Sequence, residues 1–408
     1  NGLEWQRDSV GNVVVRKKAS PGHEQAEGVI LQGHLDMVCE KNSDIEHDFS
    51  RDPIKPVKQG EWIQAEGTTL GSDNGIGVAA ALAVMEDNSF VHGPLEFLFT
   101  VDEETGLTGA RSLEPEFLKG KKLLNLDSEE EGAFTIGCAG GADSEIIYPL
   151  VRQERSSSPL WQVKIFGLRG GHSGLDINQG RGNAIKILAR LLWEVNQEIP
   201  LQLVSFTGGN KRNAIPREAW AEVAVPAARV DEFKQTIDKL FQDIHFELKT
   251  VDAGVQLSLE PALSELAPLE DNCHHTLLNF LLALPHGVIA MHPEIEGLVE
   301  TSTNLAIIRT HEKEAEIACH SRSSVASALR SVREVIQACS QLVGAKVNQP
   351  EGYPGWTPDL DSPLLQTMKD VYQRIFGKEP EVAAVHAGLE CGIIGEKFPG
   401  MDMISFGP

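Results

Sequence analysis

The sequence predicts an α/β protein whose first domain is interrupted by an inserted α+β domain. Apolar segments at 28–38, 95–101 and 121–126 are typical of buried strands, and the alternation of strands with helical segments indicates an α/β sheet. A chain of 408 residues is also too long for one ordinary hydrophobic core. Beyond a glycine-rich break at 137–141, the pattern changes to about two rounds of helix, two strands, helix and strand.

The predicted strands of the first domain end in side chains that can bind a cation. They are His34 and Asp36 after the first strand, Glu103 and Glu104 after the second, and Asp127 after the third. Asp73 directly precedes the alanine-rich run 75–87, which is apolar almost all round and predicts a buried helix. Ligands of such sheets gather beyond the carboxyl ends of the strands, so we expect these side chains to lie close together.

The inserted domain is predicted over 141–349, as an α+β lid domain made of two similar halves. Its strands are predicted at 160–168, 201–206, 219–225, 255–260, 299–309, 315–321 and 345–348. Its helices are predicted at 182–197, 231–248, 274–284 and 325–342. The segment 351–358, rich in Pro, Gly and Trp, returns the chain to the first domain, which is therefore discontinuous, over 1–140 and 350–408.

The composition excludes several classes of partner. A formal net charge of −23 argues against nucleic acid and against anionic lipid, since both need a basic protein surface. The six cysteines include no CxxC pair, so a disulfide framework or a zinc knuckle is not expected. No apolar run of membrane-spanning length and no signal-peptide pattern is visible, and we therefore expect a cytoplasmic location.

The clustered donors fit the chemistry of a hydrolytic zinc pair. Zinc takes nitrogen from His and oxygen from Asp or Glu, and a metal pair needs a bridging carboxylate, for which Asp73 is the candidate. In the adjacent pair Glu103 and Glu104, one carboxylate can bind metal while its neighbour acts as general base. Taken singly, a Glu-Glu pair is usually solvated and an HxD pair usually structural. The recurrence of such groups at the ends of separate elements favours a metal site.

Nine segments along nearly the whole chain form a specific combination: GHLDMVCEKN, GTTLGSDNGIGVAAALAV, EETGLTGA, NLDSEEEG, GCAGGAD, GLRGGHSG, GGNKRNAIPRE, GYPGWTPD and HAGLECGI. Through these segments the chain resembles the dizinc exopeptidases and amidohydrolases, a family that includes dipeptidases, aminoacylases and glutamate carboxypeptidases. This resemblance implies a catalytic domain with a mixed sheet between helices, together with the inserted lid domain.

The resemblance implies a role for each residue of the acidic set. His34 and Asp127 would bind the first zinc, Glu104 the second, and Asp73 both, with a cis peptide bond between Asp73 and the next residue. Asp36 would orient the His34 ring, and Glu103 would be the general base. The implied cofactor is two zinc ions per chain, although an oxygen-rich site also takes Mn or Co.

The inserted domain carries a second set of residues with roles implied by the resemblance. His172 would support the developing oxyanion, while Asn213 and Arg322 would hold the substrate's amide and terminal carboxylate. His386 and Gly388 belong to a segment that resembles a substrate-pocket loop. Other interpretations stay open: His172 could cap a turn, Arg322 could form a surface salt bridge, and His386 could be a core histidine.

The expected activity is hydrolysis of unblocked dipeptides, often with a C-terminal histidine, and a homodimer is possible in this family. A dizinc aminoacylase or carboxypeptidase is an alternative, as is a catalytically silent binding protein that keeps the fold. The family's second zinc has a terminal histidine ligand in a segment that follows the strand resembling ISFGP. No histidine of the 408 residues stands at that position, so we expect this ligand beyond Pro408.

Overall fold

The computed structural model describes residues 2–155 and 157–407. Residues 4–138 form β1 (Glu4–Arg7), β2 (Val13–Lys17), β3 (Val29–His34), β4 (Pro56–Gln59), β5 (Trp62–Ala65), α1 (Ser72–Glu86), β6 (Leu95–Thr100), α2 (Glu103–Gly106), α3 (Thr108–Ser112), β7 (Lys122–Asn125) and β8 (Ala133–Cys138). The middle of the chain forms β9 (Gly140–Pro149), β10 (Leu160–Phe166), α4 (Ala184–Glu198), β11 (Gln202–Gly208), β12 (Ala219–Ala224), α5 (Val230–Leu248), β13 (Gln256–Ala262), α6 (Asp271–Ala283), β14 (Gly287–Met291), β15 (Val299–Thr310), β16 (Glu314–Ser323), α7 (Ala326–Leu342) and β17 (Lys346–Asn348). The remaining elements are α8 (Pro363–Phe376), β18 (Glu381–Val385), α9 (Glu390–Lys397) and β19 (Asp402–Ser405).

The chain divides into two compact units. Unit 1 comprises Asn1–Cys138, Trp356–Ala384 and Leu389–Pro408, and unit 2 comprises Ala139–Gly355 and Val385–Gly388. Residues 350–355 and the short segment Val385–Gly388 lie in unit 2, although the sequence pattern placed all of 350–408 with the first domain. Backbone hydrogen bonds explain this, because the N–H of Ala139 donates to the carbonyls of Val385 and Ala387, and Gly141 and Tyr353 each donate to the other's carbonyl.

Unit 1 contains a mixed sheet with the strand order β1-β2-β6-β3-β7-β19-β8-β18. The strands β6, β3, β7 and β19 run parallel to one another, and β2 and β8 pair antiparallel to this group. Along β3 and β6 the side chains alternate between two hydrophobic clusters: Ile30 and Leu98 lie in one, and Leu31 and Phe97 in the other. Burial on both faces explains why these strands are continuous apolar runs, and it confirms the predicted α/β class.

The helix predicted at 75–87 forms as α1, but the prediction that it is buried all round is wrong. Its buried residues include Gly77 and Ala81, whereas Ile76 is 51% exposed and Leu82 is 45% exposed. The helix covers β3 with one face only, because it belongs to the outer layer of the unit. Apolar residues therefore remain on its outer face.

Unit 2 contains a sheet with the order β13-β10-β12-β11-β15-β16-β9-β17. One half reads β13-β10-β12-β11, and the other half, read from the opposite edge, reads β17-β9-β16-β15. The same succession of strands and helices thus occurs twice, as predicted. Sequence reasoning missed β9, which precedes the whole first half in the chain and yet supplies a strand to the second half.

Helices α4, α5 and α6 cover the sheet of unit 2 and share a large hydrophobic cluster with it, which contains Leu188, Phe241, Phe280 and Leu305. In the described part of the chain, no helix combines the length and apolar character needed to cross a membrane.

Candidate metal centre

His34 ends β3 and is 1% exposed. Its Nε2 lies 2.9 Å from Asp73 Oδ1 and 3.2 Å from Asp127 Oδ1. Its Nδ1 lies 3.0 Å from the backbone carbonyl oxygen of Asp36. A carbonyl can only accept, so we assign the proton of the neutral ring to Nδ1. This tautomer leaves the Nε2 lone pair directed at the carboxylates, where a cation could bind it.

Asn74 forms hydrogen bonds at the ends of β3 and β7, the two strands that lead to His34 and Asp127. Its Oδ1 accepts a hydrogen bond from the His34 N–H at 3.3 Å, and its Nδ2 donates to the Leu126 carbonyl at 2.6 Å. The peptide bond between Asp73 and Asn74 is cis, as the family resemblance implied. Gly33 has to be glycine here, because a Cβ at this position would overlap Asn74 Oδ1.

Asp36 holds the pair of adjacent glutamates through their backbone. Its two carboxylate oxygens accept hydrogen bonds from the N–H groups of Glu103 and Glu104, each at 3.1 Å. Its carboxylate is 3.5 Å from His34 Nδ1, farther than its own carbonyl oxygen. Sequence reasoning placed the carboxylate of Asp36 on the His34 ring. The chain leaves β3 at His34, and this bend brings the Asp36 carbonyl to the ring and the carboxylate to α2.

Two overlapping donor sets meet at His34. One set is His34, Glu103 and Glu104, the other is His34, Asp73 and Asp127, and within each set the ligand atoms lie within 4.8 Å of one another. Asp127 Oδ1 is buried and lies 3.2 Å from His34 Nε2. One imidazole and four carboxylates form a donor set that fits zinc, with Asp73 and Asp127 in one group and the two glutamates in the other. All six residues predicted for the acidic site, including Asp36, are thus brought together.

The electrostatics of this cluster show a strong excess of negative charge. Burial, followed by the charge of Asp127, raises the pKa of Glu103 to about 7, and burial also raises the pKa values of Asp73 and Glu104. Burial lowers the pKa of His34, but hydrogen bonds with Asp127 and Asp73 and the charges of Asp127 and Glu103 outweigh this effect and raise that pKa to about 10. A bound cation would compete with this proton for Nε2 and neutralise the carboxylates.

Unit 2 contains a separate cluster around Arg322, which is 5% exposed. Arg322 Nη1 donates to the hydroxyl of Tyr353 at 2.7 Å, and Nη2 lies 3.4 Å from His172 Nε2. The buried Nε of Arg322 has no hydrogen-bond partner among the described residues. A surface salt bridge is therefore the wrong interpretation of Arg322, and a donor remains available to an anionic group.

His172 caps the glycine-rich turn that follows it, as one interpretation of the sequence held. Its Nδ1 accepts hydrogen bonds from the N–H groups of Gly174 and Leu175, at 3.3 and 3.2 Å. Burial, followed by the charge of Arg322, lowers the pKa of His172. A neutral ring whose Nδ1 accepts must carry its proton on Nε2, so both His172 and Arg322 offer N–H groups at this place.

The other predicted residues of unit 2 differ in their environments. His386 is buried, its Nε2 lies 2.7 Å from the hydroxyl of Ser302, and burial lowers its pKa to about 3. At Gly388 a Cβ would lie 2.8 Å from the Tyr353 ring, so glycine lets the loop pass beside Tyr353. The side chain of Asn213 is exposed and makes no hydrogen bond with the described residues, while its carbonyl accepts from Ser173.

Sequence reasoning missed the functional contacts of Asn74, Tyr353 and Ser302. Asn74 and Tyr353 stand within the segments that carry the family resemblance, and this was their only signal. The run Cys273-His274-His275 looks like a metal motif in the sequence, but it opens α6, where Cys273 and His274 are buried and contribute to packing, and burial lowers the pKa of His274 to about 4.

Comparison with known proteins gives consistent results. The sequence pattern of "Peptidase family M20/M25/M40" matches residues 30–408. The chain is 43% identical to the "Cytosol non-specific dipeptidase" of Escherichia coli (strain K12) over 408 residues, which is 100% of this chain and 84% of that protein. The structure of aminoacylhistidine dipeptidase from Vibrio alginolyticus superposes with a TM-score of 0.93 at 43% identity, covering 100% of this chain and 83% of that one. The aminopeptidase PepT of Bacillus cereus, at 16% identity and a TM-score of 0.52, shares the fold.

Proposed function

The chain belongs to peptidase family M20/M25/M40, and from this membership we propose that it is a metal-dependent dipeptidase that hydrolyses unblocked dipeptides, Xaa-His dipeptides among them. One observation carries the proposal: two donor sets share His34, and three of their carboxylates, Asp73, Glu103 and Glu104, have raised pKa values. Both relatives at 43% identity are named as dipeptidases, one non-specific and one for aminoacylhistidine substrates.

We propose that His34 and Asp127 hold one metal ion, that Glu104 contributes to a second, and that Asp73 joins both. Zinc ions held by these residues supply Lewis-acid chemistry, because they polarise a carbonyl group and make a water molecule more acidic. Zinc is the proposed ion, with Mn or Co as substitutes in a site so rich in oxygen. Asp36 contributes by fixing the backbone of Glu103 and Glu104.

Glu103 is the proposed general base. Its side chain is in the donor set with His34 and Glu104, and its backbone N–H is held by Asp36. Its carboxylate would take a proton from the attacking water and return it to the leaving amine. A raised pKa suits this exchange, because a base with a pKa near the working pH both accepts and releases a proton readily.

In unit 2, Arg322 and His172 are proposed to bind the anionic groups of the substrate. Arg322 is already oriented by Tyr353 and keeps a buried Nε donor, which suits a carboxylate. The Nε2–H of a neutral His172 suits a developing oxyanion. Asn213, His386 and Gly388 are proposed as further residues of the substrate pocket.

A substrate panel with metal analysis tests the proposed function. We expect about two zinc ions per chain, and hydrolysis of carnosine-like and Xaa-His dipeptides that a chelator abolishes. Preference for N-acetyl amino acids would instead indicate an aminoacylase or carboxypeptidase. Fewer than one metal ion per chain, with no chelator-sensitive hydrolysis, would indicate a silent binding protein.

Replacing Arg322 by Lys should weaken binding of the substrate's terminal carboxylate. Lys keeps the charge but loses the planar fork and the hydrogen bond to Tyr353, so we expect KM to rise by about 10- to 100-fold, as for a lost charged hydrogen bond. Steady-state kinetics on a dipeptide and on its C-terminal amide measure this. The amide has no terminal carboxylate, so the substitution should raise its KM very little. The control is Arg190→Lys, on an exposed ion pair with Glu247. An equal loss on both substrates would contradict the assignment.

We also propose a cytoplasmic location, in keeping with the name of the Escherichia coli relative, and a homodimer. The proposed binding partner is a small dipeptide, and the net charge of −23 argues against nucleic acid or an anionic membrane.

A further inference from the structure

Glu390 is a fully buried carboxyl group to which the mechanism assigns no role. It begins α9 and is 0% exposed. Its Oε2 accepts hydrogen bonds from Gln32 Nε2 at 2.6 Å and from the Thr100 hydroxyl at 2.7 Å. Its Oε1 is buried without a hydrogen-bond partner among the described residues. Glutamate is rarely buried to this extent, so a specific role is expected.

The two partners of Glu390 lie on the two strands that lead into the metal centre. Gln32 stands on β3 just before His34, and Thr100 ends β6 just before Glu103. His34 is the residue opposite Thr100 in the parallel pairing of these strands. The carboxyl of Glu390 thus joins β3 and β6 at the edge where their ligands begin.

The same contact continues across the sheet as a chain of buried polar side chains. Gln32 Oε1 accepts from Asn125 Nδ2, and Asn125 Oδ1 accepts from the hydroxyl of Ser405, which lies 2.7 Å from that of Ser128. Asn125 ends β7 just before Asp127. Glu390 therefore lies at one end of a chain of hydrogen bonds between buried side chains. The chain includes residues of β3, β6 and β7, the strands after which ligands of the metal centre follow.

The electrostatic setting of Glu390 favours its uncharged form. Burial raises its pKa to about 8, the hydrogen bond from Thr100 opposes this, and the charges of Glu103 and Asp127 add to it. In the uncharged form the side chain has nearly the same shape as glutamine, whose carbonyl oxygen can accept the same hydrogen bonds from Gln32 and Thr100. Its function lies in shape and hydrogen bonding, which glutamine can reproduce.

We propose that Glu390 is a positioning residue for the metal centre, which holds the ends of β3 and β6 in the register that brings His34 against Glu103 and Glu104. The inference rests on the proposed function, because it presumes that these residues bind metal. Groups that hydrogen-bond to metal ligands typically change metal affinity by about 10- to 100-fold when they are removed, and Glu390 acts on such ligands through the strands that carry them. A small shift between the two strands would separate the ligands that share His34.

The test compares Glu390→Gln and Glu390→Leu in the whole chain loaded with Co(II). We expect Glu390→Leu to lower metal affinity by about 10- to 100-fold, measured by chelator competition, and to change the visible absorption of the bound Co(II). Glu390→Gln should retain the affinity and the spectrum of the wild type. The matched control is Glu96→Leu, since Glu96 is buried at the opposite end of β6 and binds Arg16. This control should lower the melting temperature and leave the spectrum unchanged.

Four outcomes would count against these proposals. A wild-type affinity and spectrum in Glu390→Leu would overturn the inference, as would a Glu390→Gln variant as impaired as Glu390→Leu. If Glu390→Leu does not fold, Thr100→Val removes one of the hydrogen bonds to Glu390 at nearly constant shape, and an unchanged spectrum would then overturn the inference. Failure of the wild type itself to bind Co(II) or zinc would overturn the proposed function instead.

Discussion

Replacing Glu103 by Gln should lower kcat by about 10³- to 10⁴-fold while the protein keeps its metal ions, because a general base contributes up to this much to the rate. Glutamine preserves the size of the side chain and the backbone hydrogen bond to Asp36, but it cannot accept the proton of the attacking water. Steady-state kinetics and metal analysis of the same preparation measure both effects.

The control for this variant is Glu130→Gln, in the acidic run that follows Asp127. Glu130 is exposed, so its replacement removes the same negative charge without altering the buried cluster. Its kcat should remain within about twofold of the wild type, as expected for a surface change far from special features. A Glu103→Gln variant with near-normal kcat would remove Glu103 from the mechanism, and one that lost its metal would make Glu103 a ligand.

The pH profile gives an independent check on Glu103. Only the deprotonated carboxylate acts as a base, so kcat should fall as pH decreases through the pKa of Glu103. Burial and the charge of Asp127 raise that pKa to about 7, and bound cations lower it again, which places the acidic limb below pH 7. The residual activity of Glu103→Gln should lack this limb.

The sequence made the acidic site predictable because ligands of such sheets gather beyond the carboxyl ends of their strands. His34, Glu103 and Asp127 each stand at or just after the end of an apolar run, so their proximity follows from their positions at the carboxyl ends of the strands. The exposed face of α1 was not predictable in this way. Ile76 and Leu82 are apolar, and their pattern does not show which face is covered.

Other features depend on contacts between residues that are distant in the chain. Asp36 holds the backbone of α2 because the chain bends after His34, and no local pattern marks that bend. The carboxyl of Glu390 meets Gln32 across 358 positions of sequence. Hydrogen bonds of this kind arise from tertiary packing, and they were the part of the site that composition and spacing did not reveal.

Replacing Asp73 by Asn should prevent the two donor sets from holding a pair of metal ions, and the activity should be lost with that pair. Asp73 is the carboxylate proposed to join both metal ions, and a neutral amide is a weaker ligand for zinc. We expect a loss of metal from the variant and a fall in kcat/KM of about 10³-fold or more, comparable to removal of a catalytic group. Metal analysis after gel filtration and kinetics with added zinc measure these effects.

The stability of the same variant should change in opposite directions with and without metal. Burial and the charge of Asp127 raise the folded-state pKa of Asp73, so its ionisation costs stability as pH rises above the pKa of the unfolded chain. Chelated Asp73→Asn should therefore melt at a higher temperature than the chelated wild type at pH 7. Zinc at about 100 times its Kd should stabilise the wild type by about 2.7 kcal/mol and the variant by much less.

The matched control is Asp370→Asn, on the exposed surface of α8, which should respond to zinc as the wild type does. Equal stabilisation of Asp73→Asn and wild type by zinc would show that the metal binds without Asp73. A lower melting temperature of the chelated variant would show that the Asp73 carboxylate stabilises the fold through its contact with His34. In the expected case, a carboxylate that disfavours the folded protein without metal is also one that binds the metal, because a cation relieves the repulsion between these carboxylates.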